Sequence, residues 1–207
     1  MADLQNRKFK LRVTYKKVGV AAWLSQLELA RALERQVRRS GLPYAVSEGF
    51  SPHMRISFGP ALSVGITGER QIFDVLLRDY IAPEKCLKAL KDVCQTCLEP
   101  VECVYVDNKE TIPQDFVSNY EVLIDGNISK LKIPETISVF KKRKEKTFNV
   151  ADFLDQDIKI TKTSQGTKLE FCLKQSESGS LNPSKFLDEV LKTSGKSNAL
   201  IISFKKL

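Results

Sequence analysis

Residues 9–15 read FKLRVTY and residues 25–40 read SQLELARALERQVRRS, and these two neighbouring stretches carry the clearest structural signals in the chain. In the first, apolar and polar side chains alternate, which predicts a β-strand with one wet, basic face. In the second, Ser25 and Glu28 form a capping box that begins a helix, and Gly41 and Pro43 end it near Ser40. Its predicted apolar stripe consists of Leu27, Ala30, Leu33 and Val37.

The same alternation of elements continues through the first half of the chain. Strands are predicted over residues 44–48 and 55–58, on either side of a turn at 49–52, and over residues 71–77. Pro83 begins a second helix, and residues 101–106 form a last strand. The order strand, helix, strand, strand, helix, strand predicts a ferredoxin-like (βαββαβ) unit, in which helices cover one face of an antiparallel sheet and leave the other face available.

A polar segment at 107–115 is predicted to link two domains, residues 1–107 and 116–207. In the second domain, strands are predicted over 120–124, 153–160, 168–173 and 199–204, with a short helix or basic loop over 137–144 and a helix over 182–191. The predicted fold is therefore α+β, with two tandem ferredoxin-like halves, the second degenerate.

Charge is distributed unevenly along the 207 residues, whose net charge is +8. Residues 1–60 carry +7, residues 61–125 carry −6 and residues 126–207 carry +7. Such segregation predicts a basic surface for a polyanion and an acidic middle third that faces a protein partner, although ordinary solvated surfaces would also explain it.

The first helix carries arginines at spacings that place them together. Arg31, Arg35 and Arg38 lie four and three residues apart, and Arg39 follows. Glu34 is expected at a different angle, and Glu28 can reach only the first turn. Because like charges at this spacing disfavour a helix, the arginines point to binding of successive phosphates or of an acidic protein, the alternative being a solvated face.

The loop after this helix combines Phe50, His53 and Arg55 with the flexible Gly49 and the rigid Pro52. An aromatic ring, an imidazole and a guanidinium suit contact with an unpaired base and its phosphate, but the same residues also suffice for a turn. His53 is a weak candidate for a general acid or base, since no second proton donor is identified.

Two further clusters, one basic and one of cysteines, contain residue types that can bind ligands. Lys141, Lys142, Arg143 and Lys144 form a basic run that predicts nonspecific contact with phosphates. The Cys94–Cys97 pair has CxxC spacing, but without a second pair or a nearby histidine it favours reduced thiols on a helix over residues 86–97. No metal site and no cofactor are predicted.

No secretory signal or apolar run long enough for a bilayer is evident, so a cytoplasmic protein without membrane association is expected.

Four stretches, WLSQLELAR (23–31), RRSGLPY (38–44), SEGFSPH (47–53) and ISFGPALSVG (56–65), resemble the radical-SAM-linked protein family of unknown function. The resemblance implies a domain that is fused to the C-terminus of a radical SAM protein or exists as a small protein beside one. The chain differs from the family pattern at the helix start, where Ser25-Gln26-Leu27-Glu28 replaces Ser-His-Leu-Asp, and at Met54, which replaces a proline. Without that histidine, Gln26 and Glu28 are expected to serve recognition or structure.

Together these features predict a nonenzymatic accessory or substrate-recognition protein for a radical SAM enzyme, with structured RNA as its target. The chain lacks the CxxxCxxC signature that would bind an iron–sulfur cluster. One alternative is a metal-independent endoribonuclease that uses His53, by analogy of fold with CRISPR repeat-processing enzymes. The other is a protein–protein adaptor that never binds nucleic acid.

Overall fold

The chain folds into two compact units, Met1–Gln114 and Asp115–Leu207, in a computed structural model that describes residues 8–114, 116–141, 144–176 and 179–207. Both units combine helices with antiparallel strands, which confirms the α+β class.

From residue 8 onward, the first unit contains two α-helices and four strands in the predicted order: β1 (Phe9–Lys17), α1 (Gln26–Arg39), β2 (Ile56–Phe58), β3 (Thr67–Leu77), α2 (Pro83–Lys91) and β4 (Pro100–Val106). The strands form an antiparallel sheet in the order β4-β1-β3-β2. A short 3-10 helix, Gly19–Trp23, joins β1 to α1. The strand predicted over 44–48 is reduced to isolated bridges from Tyr44 to Leu77 and from Val46 to Met54.

Helix α1 begins and ends as its sequence predicts. The Ser25 hydroxyl accepts a hydrogen bond from the Glu28 N–H at 3.4 Å, and the Glu28 carboxylate accepts one from the Ser25 N–H at 2.8 Å. Gly41, with φ of +72°, follows the helix in the left-handed conformation that glycine favours. The two hydrogen bonds between Ser25 and Glu28 satisfy backbone N–H groups that the first turn of the helix would otherwise leave unpaired.

The inner face of α1 differs in part from the predicted stripe. Leu27 is 61% exposed, whereas Leu29 and Gln36 are buried beside Leu33 and Val37. At 3.6 residues per turn, Leu29 lies about 40° from Leu33, but Leu27 lies about 120° away. The inner face packs with α2 on the sheet, and the Gln36 side chain donates to the Leu90 carbonyl of α2 at 3.3 Å.

The predicted wet, basic face of β1 is wrong, because Arg12 and Thr14 are buried. The Arg12 guanidinium donates to both carboxylate oxygens of Asp74 on β3, at 2.9 and 3.0 Å, and also to the Glu110 side chain. The fourth acceptor atom is the carbonyl oxygen of Thr111, at 3.1 Å. The sheet face opposite the helices is therefore not free at its centre.

Residues 107–112, predicted to be part of a linker, contact the Lys10 and Arg12 side chains of β1. Lys10 donates to the carbonyls of Asn108 and Glu110 at 2.5 and 2.7 Å, which fixes the segment against β1. The segment thus belongs structurally to the first unit.

The described residues of the second unit form one α-helix and six strands: β5 (Val117–Ile124), β6 (Thr136–Lys141), β7 (Lys144–Asn149), β8 (Lys159–Thr163), β9 (Gly166–Lys174), α3 (Pro183–Thr193) and β10 (Ile201–Lys206). Its main sheet has the antiparallel order β10-β5-β9-β8, and β6 pairs with β7 in a separate hairpin. The helix or loop predicted over 137–144 is wrong. Apolar and polar residues alternate through Thr136-Ile137-Ser138-Val139, and Ile137 is buried, as a strand requires.

Local chemistry fixes the helix and the β8–β9 turn of this unit. The Asn182 side chain accepts from the Lys185 N–H at 3.0 Å and caps α3, whose Phe186 ring lies 5.1 Å from that of Phe171. Gly166 has φ of +137°, and a Cβ there would lie 2.2 Å from the Ile124 carbonyl oxygen. The turn therefore requires glycine.

Among the described residues, no helix combines the length and apolar character that a membrane span requires.

Candidate nucleic-acid interface

The four arginines of α1 are all exposed, on the side of the helix opposite the sheet. We call Arg31, Arg35, Arg38 and Arg39 the basic face. Helical geometry places the first three within about 60° of one another. A single side of α1 thus presents guanidinium groups over about two turns.

Carboxylates neutralise part of this charge. Glu34 lies 3.6 Å from Arg38, closer than the sequence led us to expect, because residues four apart meet on a helix. Hydrogen bonds from the Ser25 hydroxyl and backbone N–H lower the pKa of the Glu28 carboxyl, and the charge of Arg31 lowers it further. Within the described residues, Arg35 forms no ion pair.

The loop that follows α1 is held at its base and exposed at its tip. The Ser47 N–H donates to the His53 carbonyl at 2.8 Å, and the His53 N–H donates to the Ser47 hydroxyl at 3.0 Å. Gly49 has φ of +130°, and the Phe50 ring beside it is fully exposed. Backbone bonds from Arg55 to Ala45 and from Leu76 to Arg55 anchor the loop beside β3.

Phe50, His53 and Arg55 are all exposed, and the structure brings them together on one loop. In the part of the chain that the structure describes, the imidazole of His53 makes no hydrogen bond or ion pair. Nor does such a bond join these residues to the basic face. The two groups share the first unit, but they lie on different elements: the loop at the β2 edge of the sheet and the arginines on the outside of α1.

The predicted basic run begins at the last residue of β6 and ends at the first residue of β7 in the second unit. Lys141 ends β6 and Lys144 begins β7, where they pair, but their side chains lie outside the described part. Lys142 and Arg143 lie outside the described residues altogether.

The residues at the start of α1 have a structural role. Ser25 and Glu28 cap the helix, as described above, and Gln26 is half-buried. The cap accounts for Glu28 without any ligand.

The CxxC pair does not lie on α2, which ends at Lys91 rather than at Cys97, and Cys97 belongs instead to a short 3-10 helix, Thr96–Leu98. The carbonyls of Cys97 and Glu99 accept hydrogen bonds from the end of β1, and this pairing holds residues 97–99 beside the sheet. No group of three His, Cys, Asp or Glu side chains in the described ranges is arranged to hold a metal ion.

Several carboxylates of the acidic middle third are paired with basic side chains. Asp74, Glu99, Glu102, Glu110 and Glu121 each form an ion pair with Lys or Arg side chains. The negative charge of these five carboxylates is therefore partly compensated, and the acidic face for a protein partner stays a prediction.

Two features were missed from the sequence. Lys17 is buried at the end of β1, two residues beyond Tyr15, where the predicted strand ended. The second feature, which we call the apolar patch, consists of the exposed Val20, Trp23, Leu27 and Val64. The exposure of Trp23 and Leu27 has no signature in hydrophobic periodicity.

The fold and these surfaces define an α+β protein that exposes arginines on one helix and an aromatic ring on the loop that follows it. The chain belongs to a bacterial family described as an uncharacterized protein conserved in bacteria (DUF2344), whose model matches residues 10–183. Comparison with curated proteins finds no match.

Proposed function

We propose that the protein is a nonenzymatic accessory or substrate-recognition protein that binds structured RNA through the basic face of α1 and the 49–53 loop. The observation that carries this proposal is the outward orientation of the arginines, with Arg35 left without a carboxylate partner in the described residues. Guanidinium forks match phosphate oxygens and supply affinity without reading sequence.

The exposed loop supports the same proposal. Phe50 is fully exposed at a tip that begins with Gly49 at positive φ, and burial in the core cannot explain an aromatic ring there. An unpaired base can stack on such a ring while Arg55 contacts its phosphate. His53 would add a hydrogen bond to the same nucleotide.

The link to a radical SAM enzyme rests on the resemblance of residues 23–65 to the radical-SAM-linked family. The ferredoxin-like interpretation rests on strand order. When the four strands of each main sheet are numbered in chain order, β4-β1-β3-β2 and β10-β5-β9-β8 both read 4-1-3-2. In the second unit, the β6–β7 hairpin occupies the chain position of the first helix.

Binding of fluorescent tRNA and total cellular RNA at two salt concentrations tests the proposal. We expect affinity to fall with salt and the variant Arg35→Glu/Arg38→Glu to bind at least about tenfold more weakly, because phosphate contacts release counterions. The matched control is Lys85→Glu/Lys88→Glu, which reverses two exposed charges at the same spacing on α2.

Equal losses in both variants would show attraction by net charge alone, and no binding by the wild type would contradict RNA recognition by the isolated protein. His53→Ala addresses the endoribonuclease alternative. RNA cleavage that this variant loses would identify a nuclease, whereas a recognition protein would lose at most part of its affinity.

A further inference from the structure

We propose that the apolar patch, together with Arg31 at its border, is a docking surface for an acidic amphipathic segment of a partner protein. The patch exposes Val20 by 77%, Trp23 by 72%, Leu27 by 61% and Val64 by 51%. This inference goes beyond RNA binding and does not depend on it.

Local contacts bring Val20, Trp23 and Val64 together, and Leu27 follows them in the first turn of α1. Val20 and Trp23 lie three residues apart in a 3-10 helix, where such side chains align. The Gly65 N–H donates to the Ala22 carbonyl at 2.8 Å, and a Cβ on Gly65 would lie 3.6 Å from the Trp23 ring. Val64 is therefore adjacent to the tryptophan.

The patch sits on a fixed support. Ala21 and Ala22, between Val20 and Trp23, are buried, and Leu24 packs against the core. Leu27 lies in the first turn of the capped helix. Because its support is ordered before binding, the patch would lose little conformational entropy on association.

The composition favours a protein over RNA. Tryptophan is enriched among the residues that dominate binding energy at protein interfaces, and apolar neighbours exclude water around it. A base stacked on Trp23 would leave the aliphatic Val20, Leu27 and Val64 uncovered, and phosphates beside them would gain nothing. Apolar side chains of a partner would cover all four.

Charge at the border defines the rest of the partner. Arg31 lies one helical turn beyond Leu27, and Arg35 one turn beyond Arg31, on the same exposed side of α1. An amphipathic helix with apolar residues over the patch and carboxylates one turn away would complement both. A second copy of the chain fits less well, because a two-fold contact would bring the same border arginines, and no complementary acidic surface, from both sides of the interface.

The chain has a single tryptophan, Trp23, so its fluorescence reports directly on the patch. The probe is a tryptophan-free helical peptide with leucines along one face and glutamates elsewhere, titrated into the full-length protein. We expect Trp23 emission to shift to shorter wavelength and its quenching by acrylamide to decrease. A peptide with lysine in place of glutamate should have no effect.

Variants test the residues with a fluorescein-labelled form of the same peptide. Trp23→Ala should weaken binding about thirtyfold and Leu27→Ser about tenfold, as expected for central interface residues. Phe116→Ala, which removes an equally exposed ring from the second unit, should leave binding unchanged. Circular dichroism checks that each variant is folded.

Three results would overturn the proposal. Failure of the acidic peptide to change Trp23 emission excludes this partner chemistry. Quenching by single-stranded RNA in place of the peptide would make nucleic acid the occupant. A shift that appears on raising the protein concentration alone, with dimers in light scattering, would make the occupant a second copy.

Discussion

At the scale of single residues, Lys17 is the most unusual feature of the first unit. The side chain is buried, and its Nζ donates to the Leu24 carbonyl at 3.4 Å. Burial lowers the pKa of Lys17, since removal from water disfavours the charged form. Lys17 therefore carries a desolvation cost that one weak hydrogen bond offsets only in part.

Lys17→Met should raise the free energy of unfolding by about 1–2 kcal/mol at pH 7, because an apolar side chain of similar size fits a buried site without that cost. The pKa of Lys17 is lower in the folded protein than in the unfolded chain. Between those two values the unfolded chain binds more protons, so wild-type stability rises with pH and the advantage of the variant shrinks.

Urea unfolding at several pH values measures both effects. Lys16→Met is the control, since Lys16 is partly exposed and its pair with Glu99 at 3.6 Å is a surface contact. A Lys17→Met variant less stable than the wild type at pH 7 would contradict this account.

At the scale of elements, local signals predicted α1 well and β6 poorly. The Ser25–Glu28 capping box and Gly41 act within a few residues of the helix ends, so they can be found in sequence. The hairpin of β6 and β7 depends on burial of Ile137, which a short basic segment does not reveal.

The burial of Arg12 was equally invisible from sequence. Its partners, Asp74 and Glu110, come from distant parts of the chain. The alternation of apolar and polar residues in β1 therefore predicted a solvent-exposed face where the structure has a cluster of ion pairs. Of the candidate site, the exposure of the arginines and of Phe50 could be predicted, but the apolar patch could not, since it joins residues 20–27 to Val64 from a distant part of the chain.

The ion cluster between strands gives a prediction of its own. Asp74→Ala should lower the free energy of unfolding by about 3–5 kcal/mol, because it leaves the buried Arg12 guanidinium without its main partner. Glu110→Ala should cost only about 1 kcal/mol, since the Glu110 side chain is half exposed.

Denaturant unfolding of both variants measures the difference. The double variant Arg12→Met/Asp74→Leu should recover most of the loss, because it removes the buried charge together with its partner. Equal costs for Asp74→Ala and Glu110→Ala would refute the assignment of Asp74 as the main partner.

At the scale of the whole molecule, charge along the chain is a poor guide to charge on the surface. Glu121 of the acidic third lies 3.5 Å from Lys168 and 3.9 Å from Lys205, both from the basic last third. Sheet pairing brings these segments together, so the negative charge of residues 61–125 is partly compensated by neighbouring strands.

The five thiols report on the packing of both units. We expect iodoacetamide to modify Cys94 and Cys97 in the native protein and to spare Cys86, Cys103 and Cys172, which are buried. Burial raises the pKa of Cys103 to about 12 and also raises the pKa of Cys86 and of Cys172, so their reactive thiolate forms are scarce.

Mass spectrometry of digested protein, labelled with and without urea, locates the modified residues. All five should react in urea. Native labelling of Cys103 as fast as Cys97 would contradict the packing of the first unit, and fast labelling of Cys172 would contradict that of the second.

The contacts of residues 108–111 determine where the chain can be cut for separate expression of its first half. A fragment that stops at residue 107 would lose both carbonyls that Lys10 contacts, and Arg12 would keep only Asp74. Residues 108–111 thus cover the outer face of the sheet at β1 and belong to the folded part of the first half. A fragment intended to behave like the first half of the intact protein should therefore extend past Ile112.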